Sequence, residues 1–227
     1  MDFAVPSESR LMTDNHVIGP PTVFVVDDDP SLRVALPRLL SSVGLPSEIF
    51  ATAEEFRLHV DPSRAGCLVL DVRMPGTSGL DLQEQLAAAG YELPVIFLTA
   101  HADVSLTVRA MKAGALELFT KPFDDQLLLD AIHEALERDR VHRLRLVEIR
   151  TLRDRYESLT ARERDVMTRV VMGLLNKQIA AELGIAEKTV KGHRGQVMRK
   201  MQAASLADLV RMADRIVRTS PAPGRDG

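Results

Sequence analysis

TVFVVDDDPSLRVAL, residues 22–36, decides the fold. Five strand-forming apolar residues run directly into three aspartates, and a proline then opens an amphipathic stretch. An uninterrupted apolar strand is covered on both faces, which is the signature of a parallel sheet. Similar short runs follow at PSEIF (46–50), CLVL (67–70), PVIFL (94–98) and LELF (116–119). Amphipathic stretches lie between them at about 30–43, 53–60, 79–90, 103–113 and from 124 onward. Five strands alternating with five helices predict an α/β domain with a doubly wound, five-stranded parallel sheet. Reactive groups in such sheets gather at the carboxyl ends of the strands. Asp29 before Pro30 reads as a helix cap with proline at the first helical position.

From Asp124 to Tyr156 neither proline nor glycine occurs, so the fifth helix is expected to continue, whole or broken near Arg138–Val141. Further on, Thr160-Ala161-Arg162-Glu163 reads as a capping box. Gly173 closes that helix, Asn176 caps the next, and Gly184 makes a tight turn into a third helix over about 187–201. Two short helices joined at a glycine, the second one basic, describe a helix-turn-helix. A last helix spans about 205–218. The expected organisation is a tail at 1–21, an α/β domain at 22–137, a helical linker at 138–158, an all-α domain at 159–219 and a tail at 220–227, both tails disordered.

Charge separates the two halves. Residues 22–137 carry a net −10, residues 138–158 a net +3, and residues 159–219 a net +6. A basic module joined to an acidic one points to a nucleic-acid partner for the basic half. Nothing reads as a membrane span or a secretory signal. The single cysteine, Cys67, lies in an apolar strand and reads as a buried small hydrophobe. A cytoplasmic location fits these features.

The first strand ends in Asp27-Asp28-Asp29 and the third in Asp71. Carboxylates crowded at one sheet edge repel unless a hard cation sits among them, and magnesium prefers such oxygens. The fourth strand ends in Thr99 and the fifth is followed by Lys121-Pro122, where a cis bond would aim the lysine inward. Three carboxylates, a hydroxyl and an ammonium at four strand ends suit phosphoryl transfer.

VVDDD, LVLDVRMPGTSGLDL, PVIFLTAH, VRAMKAGA and TKPF, in this order, resemble the receiver domain of two-component response regulators. The resemblance implies that Asp71 is phosphorylated by a sensor histidine kinase. It implies that Asp27, Asp28, Asp71 and the backbone carbonyl of Arg73 bind Mg2+, and that Thr99 and Lys121 contact the phosphoryl group. Receivers usually carry an aromatic switch residue three positions before this lysine, where this chain has Leu118. Phe119 points to the opposite face and does not replace it.

LTARERDVMTRVVMGLLNKQIAAELGIAEKTVKGHRGQVMRKM resembles the LuxR-type domain, and the whole chain resembles the FixJ/NodW group of regulators. This implies a transcription regulator with helix 187–201 in the major groove and RNA polymerase as a further partner. Candidate DNA contacts are Lys177, Lys188, Thr189, Lys191, His193, Arg194, Arg199 and Lys200. Ala186 lacks the usual capping side chain, and Gly192 and Gly195 weaken the third helix, so base reading is expected to rest on Lys191 and Arg194. Phosphorylation is expected to pair two receivers through the fourth helix, fifth strand and fifth helix, giving a homodimer on promoter DNA. Two other readings remain: a magnesium-dependent phosphatase, and a constitutive DNA-binding protein whose receiver is a dimer scaffold.

Overall fold

A computed structural model describes residues 20–61 and 63–219. The tails expected at 1–21 and 220–227 lie outside these residues, apart from Pro20 and Pro21. The chain divides between Val141 and His142 into two compact units.

The first unit holds β1 (Thr22–Val26), α1 (Pro30–Ser42), β2 (Ser47–Phe50), α2 (Ala53–His59), β3 (Gly66–Asp71), α3 (Gly79–Ala88), β4 (Val95–Thr99), α4 (Val104–Lys112), β5 (Glu117–Thr120) and the start of α5 (Asp125–Glu157). The strands are all parallel, in the order β2-β1-β3-β4-β5. Alternate residues of each strand feed two cores. Phe24, Val26, Leu68, Leu70 and Phe97 meet α2, α3 and α4 through Phe56, Leu82 and Ala110. Val23, Val25, Cys67, Val69 and Ile96 meet α1 and α5 through Leu36, Leu40, Leu128 and Ile132. The same alternation sends Leu118 to the first core and Phe119 to the second. Cys67 is fully buried, and burial followed by the nearby Asp139 charge pushes its thiol pKa well up.

Caps fix where helices begin. Asp29 accepts the Ser31 amide ahead of Pro30, while Thr52, Ser78 and Asp103 cap α2, α3 and α4 with their side chains. The fifth helix runs unbroken from Asp125 to Glu157. No helix among the described residues is long and apolar enough to cross a membrane.

The second unit contains the end of α5, then α6 (Ala161–Val171), α7 (Asn176–Leu183), α8 (Glu187–Met201) and α9 (Leu206–Thr219). Thr160 and Glu163 form the expected capping box. The α7 cap differs from expectation: Leu175 holds the cap position, its amide donates to Gln178 Oε1, and Asn176 is already helical. Gly184 takes the left-handed conformation between α7 and α8 (φ 65°), as the tight turn requires. Val166, Val170, Ile179, Val190, Val197, Met201 and Leu209 form the core.

Candidate functional site

The four strand ends bring Asp27, Asp71, Thr99 and Lys121 together, with Asp28 beside them. Asp27 and Thr99 are completely buried and Asp71 is 6% exposed. Lys121 Nζ lies 2.7 Å from Asp27 Oδ2 and 3.2 Å from Asp71 Oδ2. The Lys121–Pro122 peptide bond is cis. Carboxylate oxygens of Asp27, Asp28 and Asp71 all lie within 4.8 Å of one another. A hard divalent cation fits such an oxygen set, because each carboxylate offers a lone pair toward a common point.

Burial and then the charge of Asp27 raise the Asp71 carboxyl pKa above its ordinary value, even though Lys121 and the Arg73 amide pull it down. Burial opposes the Lys121 ammonium, but Asp27 and then Asp71 outweigh it and hold its pKa above the usual lysine value. The site thus contains more negative charge than one lysine neutralises.

Two further residues shape the site through backbone contacts. Arg33, in the first turn of α1, donates to the backbone carbonyls of Asp27 and Asp28 at 3.1 and 2.7 Å. It thereby fixes the loop that carries both carboxylates. Gly79, at the start of α3, donates its amide to Val72 O, and a Cβ there would lie 2.2 Å from Asp71 O. Thr99 Oγ1 donates to His101 O at 3.1 Å and accepts the His101 amide at 3.3 Å. An open depression lined by Asp29, Leu32, Lys121, Pro122 and Phe123 borders the cluster.

In the second unit, α8 buries Val190, Val197 and Met201 on one face. The opposite face exposes Lys188, Lys191, Gly192, Gly195 and Arg199. Thr189 and Lys177 are exposed, and His193 is half-buried. Two of the expected DNA contacts have partners within the unit. Arg194 is half-buried and donates to Asn176 Oδ1 at 3.2 Å, which braces α8 against α7. Lys200 Nζ bonds Glu163 Oε2 at 2.6 Å and Ser158 O at 3.1 Å, so it ties α8 to the α6 cap. The exposed polar side chains of α8 include Lys188, Thr189, Lys191 and Arg199, with Gln196 bonded to Arg199.

Glu163 is held below the ordinary glutamate pKa, first by Lys200 and then by the Thr160 amide. A depressed carboxyl stabilises the fold above its unfolded pKa, and that stabilisation disappears as pH falls through the folded value. Glu163→Gln should cost about 1 kcal/mol at neutral pH. The difference should narrow as pH falls below the ordinary glutamate range; urea titrations at neutral and acid pH check this.

Nothing lies within 4 Å of a Cβ built on Gly192. Gly192→Val should stabilise α8 by about 0.3 kcal/mol, since valine forms helix more readily than glycine. It should also change sequence preference by placing a side chain on the exposed face. Selection from a random duplex pool checks this, and an unchanged preferred sequence contradicts it.

Comparison with known proteins agrees with both units. Residues 23–133 match the response regulator receiver domain, and residues 157–213 match the bacterial regulatory proteins of the luxR family. The chain is 52% identical over 194 residues to Nodulation protein W of Bradyrhizobium diazoefficiens, covering 86% of each. It is 45% identical over 192 residues to Transcriptional regulatory protein FixJ of Azorhizobium caulinodans, covering 84% of this chain and 90% of that one. The solved structure of response regulator StyR is 50% identical with a TM-score of 0.81, over 87% of this chain and all of that one. The chain belongs to the two-component response regulators of the FixJ/NodW group, with a receiver domain followed by a LuxR-type helix-turn-helix domain.

Proposed function

We propose that Asp71 is the phosphoacceptor and that its phosphorylation controls binding of the α8 surface to promoter DNA. The observation that carries this reading is the bracing of Asp71 by Lys121 beside Asp27, in a buried cluster with unneutralised negative charge. An Asp71 carboxylate oxygen attacks the phosphorus of a phosphohistidine on a sensor kinase. The P–N bond breaks, the imidazole nitrogen leaves with the electron pair, and an acyl phosphate remains.

Asp27, Asp28, Asp71 and the Arg73 carbonyl would hold Mg2+, which when bound neutralises the carboxylates and the charge on the transferred group. Lys121, already 3.2 Å from Asp71, follows the new charge. Donation from Thr99 Oγ1 to a phosphoryl oxygen would use the proton it now gives to His101 O, in the segment leading into α4. Val104, Val108 and Met111 expose an apolar stripe on α4. That stripe supports pairing of two receivers on the α4–β5–α5 face. Pairing then brings two helix-turn-helix modules to two half-sites, which strengthens binding that one small module makes weakly. A cytoplasmic regulator that also meets RNA polymerase fits this reading.

The regulator relatives support this reading over a phosphatase, as does Arg73 where those enzymes often carry a second acid. Leu118, in place of the usual aromatic, favours one competing reading, a constitutive DNA-binding protein. Size measurement with and without acetyl phosphate tests the pairing step. Phosphorylated wild type should run as a dimer and Asp71→Asn as a monomer; dimers under every condition would support the constitutive scaffold instead.

A further inference from the structure

The docked face of α5 is a stripe of buried residues: Leu128, Ile132, Ala135 and Leu136. The next position on that stripe is Asp139, which is 3% exposed and accepts the Gly66 amide at 2.9 Å. We propose that this buried carboxylate latches the last receiver turn of α5 to the first residue of β3 and so fixes the register of α5 on the sheet. The signalling half of this proposal rests on the phosphorylation reading above; the mechanical half does not.

Several features make the contact suited to a latch. A buried carboxylate is costly to desolvate, and an apolar residue would continue the stripe without that cost. What the carboxylate adds is direction, because a hydrogen bond fixes one register where apolar packing tolerates sliding. The donor sits at the start of a central strand. A Cβ on Gly66 would fall 1.9 Å from Thr22 O, so β3 starts in tight contact with β1. The latch lies just ahead of the division at Val141/His142, and the helix then continues unbroken to Glu157. Asp139 is thus a positioning residue at the receiver's end of the connecting helix, remote in sequence from the phosphorylation residues.

Amide hydrogen exchange on full-length wild type, Asp139→Leu and Asp139→Asn tests this. In Asp139→Leu, residues 133–147 should exchange roughly tenfold faster while β1 and the rest of β3 stay protected. Asp71 should still be phosphorylated by acetyl phosphate at the wild-type rate. The phosphorylation-dependent gain in DNA affinity should fall at least about threefold. Asp139→Asn keeps an oxygen for the Gly66 amide and should restore both readouts. Unchanged exchange over 133–147, or acceleration across the whole receiver, overturns the latch. Local acceleration with a full gain in affinity overturns the signalling half. A wild type with no affinity gain refutes the phosphorylation reading, and the exchange data still decide the latch. Should the leucine variant not fold, wild-type exchange decides: the Gly66 amide and residues 136–141 must open together, and separate openings overturn the proposal.

Discussion

Gly79→Ala should destabilise the receiver by roughly 3 kcal/mol or more and sharply slow phosphorylation of Asp71. The added Cβ would meet Asp71 O at 2.2 Å, Asp71 C at 3.0 Å and Leu70 Cγ at 3.1 Å. Two of these three atoms are backbone, so no side-chain rotation relieves the clash. Either β3 moves at Asp71 or α3 moves off the sheet. The second course strains the Gly79–Val72 hydrogen bond and the apolar contacts of Leu80 and Leu82. A control lies in the same chain. Gly195→Ala meets nothing within 4 Å and replaces a helical glycine, so it should stabilise the second unit by up to about 1 kcal/mol. Urea midpoints for both variants, with acetyl phosphate incorporation for the first, check the pair. A Gly79→Ala protein with wild-type stability would show that the close approach of α3 to Asp71 is not a constraint.

Lys121→Met should remove about 2–3 kcal/mol of stability in the absence of divalent metal. Asp27 is completely buried and loses a partner at 2.7 Å, while Asp71 loses one at 3.2 Å. The loss should depend on pH. Asp71 already has a raised pKa, chiefly from burial, so ionising it costs the folded state, and stability falls as pH rises through that pKa. Without Lys121 the cost grows. The gap from wild type should therefore be large at neutral pH and narrow as pH falls through the carboxylate range. Millimolar Mg2+ at neutral pH should recover most of the loss, because it supplies the missing positive charge among the same oxygens. Urea titrations across pH, with and without Mg2+, check this. A loss that is the same at every pH would assign the effect to packing of the lysine stem instead.

Most of the receiver could be read from apolar runs because its strands are buried on both faces and its helices are capped by Asp, Ser or Thr. The small boundary differences have a cause. Pro46 and Pro94 open the apolar runs PSEIF and PVIFL. Each lends its carbonyl to a neighbouring strand, to Val23 and Leu68 respectively, but has no amide to return, so β2 and β4 begin one residue later. The unbroken α5 followed from a long stretch free of glycine and proline.

The DNA surface was less legible. Arg194 and Lys200 are half-buried and hydrogen-bonded within the unit, whereas a basic residue on a basic helix suggests solvent. The spacing Val190, Val197, Met201 places Arg194 beside the buried stripe, so its partly inward orientation was open to inference. The partner of Lys200 was not, since Glu163 is far away in sequence and only the packing of α6 on α8 brings it near. The roles of Arg33 and Gly79 are hard to read for a similar reason. Their partners are backbone atoms of the acidic loop and of β3, which leave no mark in a pattern of side chains.

The central claim is that charge added at Asp71 changes how tightly the α8 surface holds DNA. Affinity for an enriched genomic duplex, measured at fixed salt with and without acetyl phosphate and Mg2+, tests it directly in wild type and Asp71→Asn. Wild type should tighten by about tenfold or more when phosphorylated, within the usual range of coupling between sites. Asp71→Asn should stay at the unphosphorylated value under both conditions. An equal gain in both proteins, or no gain in wild type, would contradict the account.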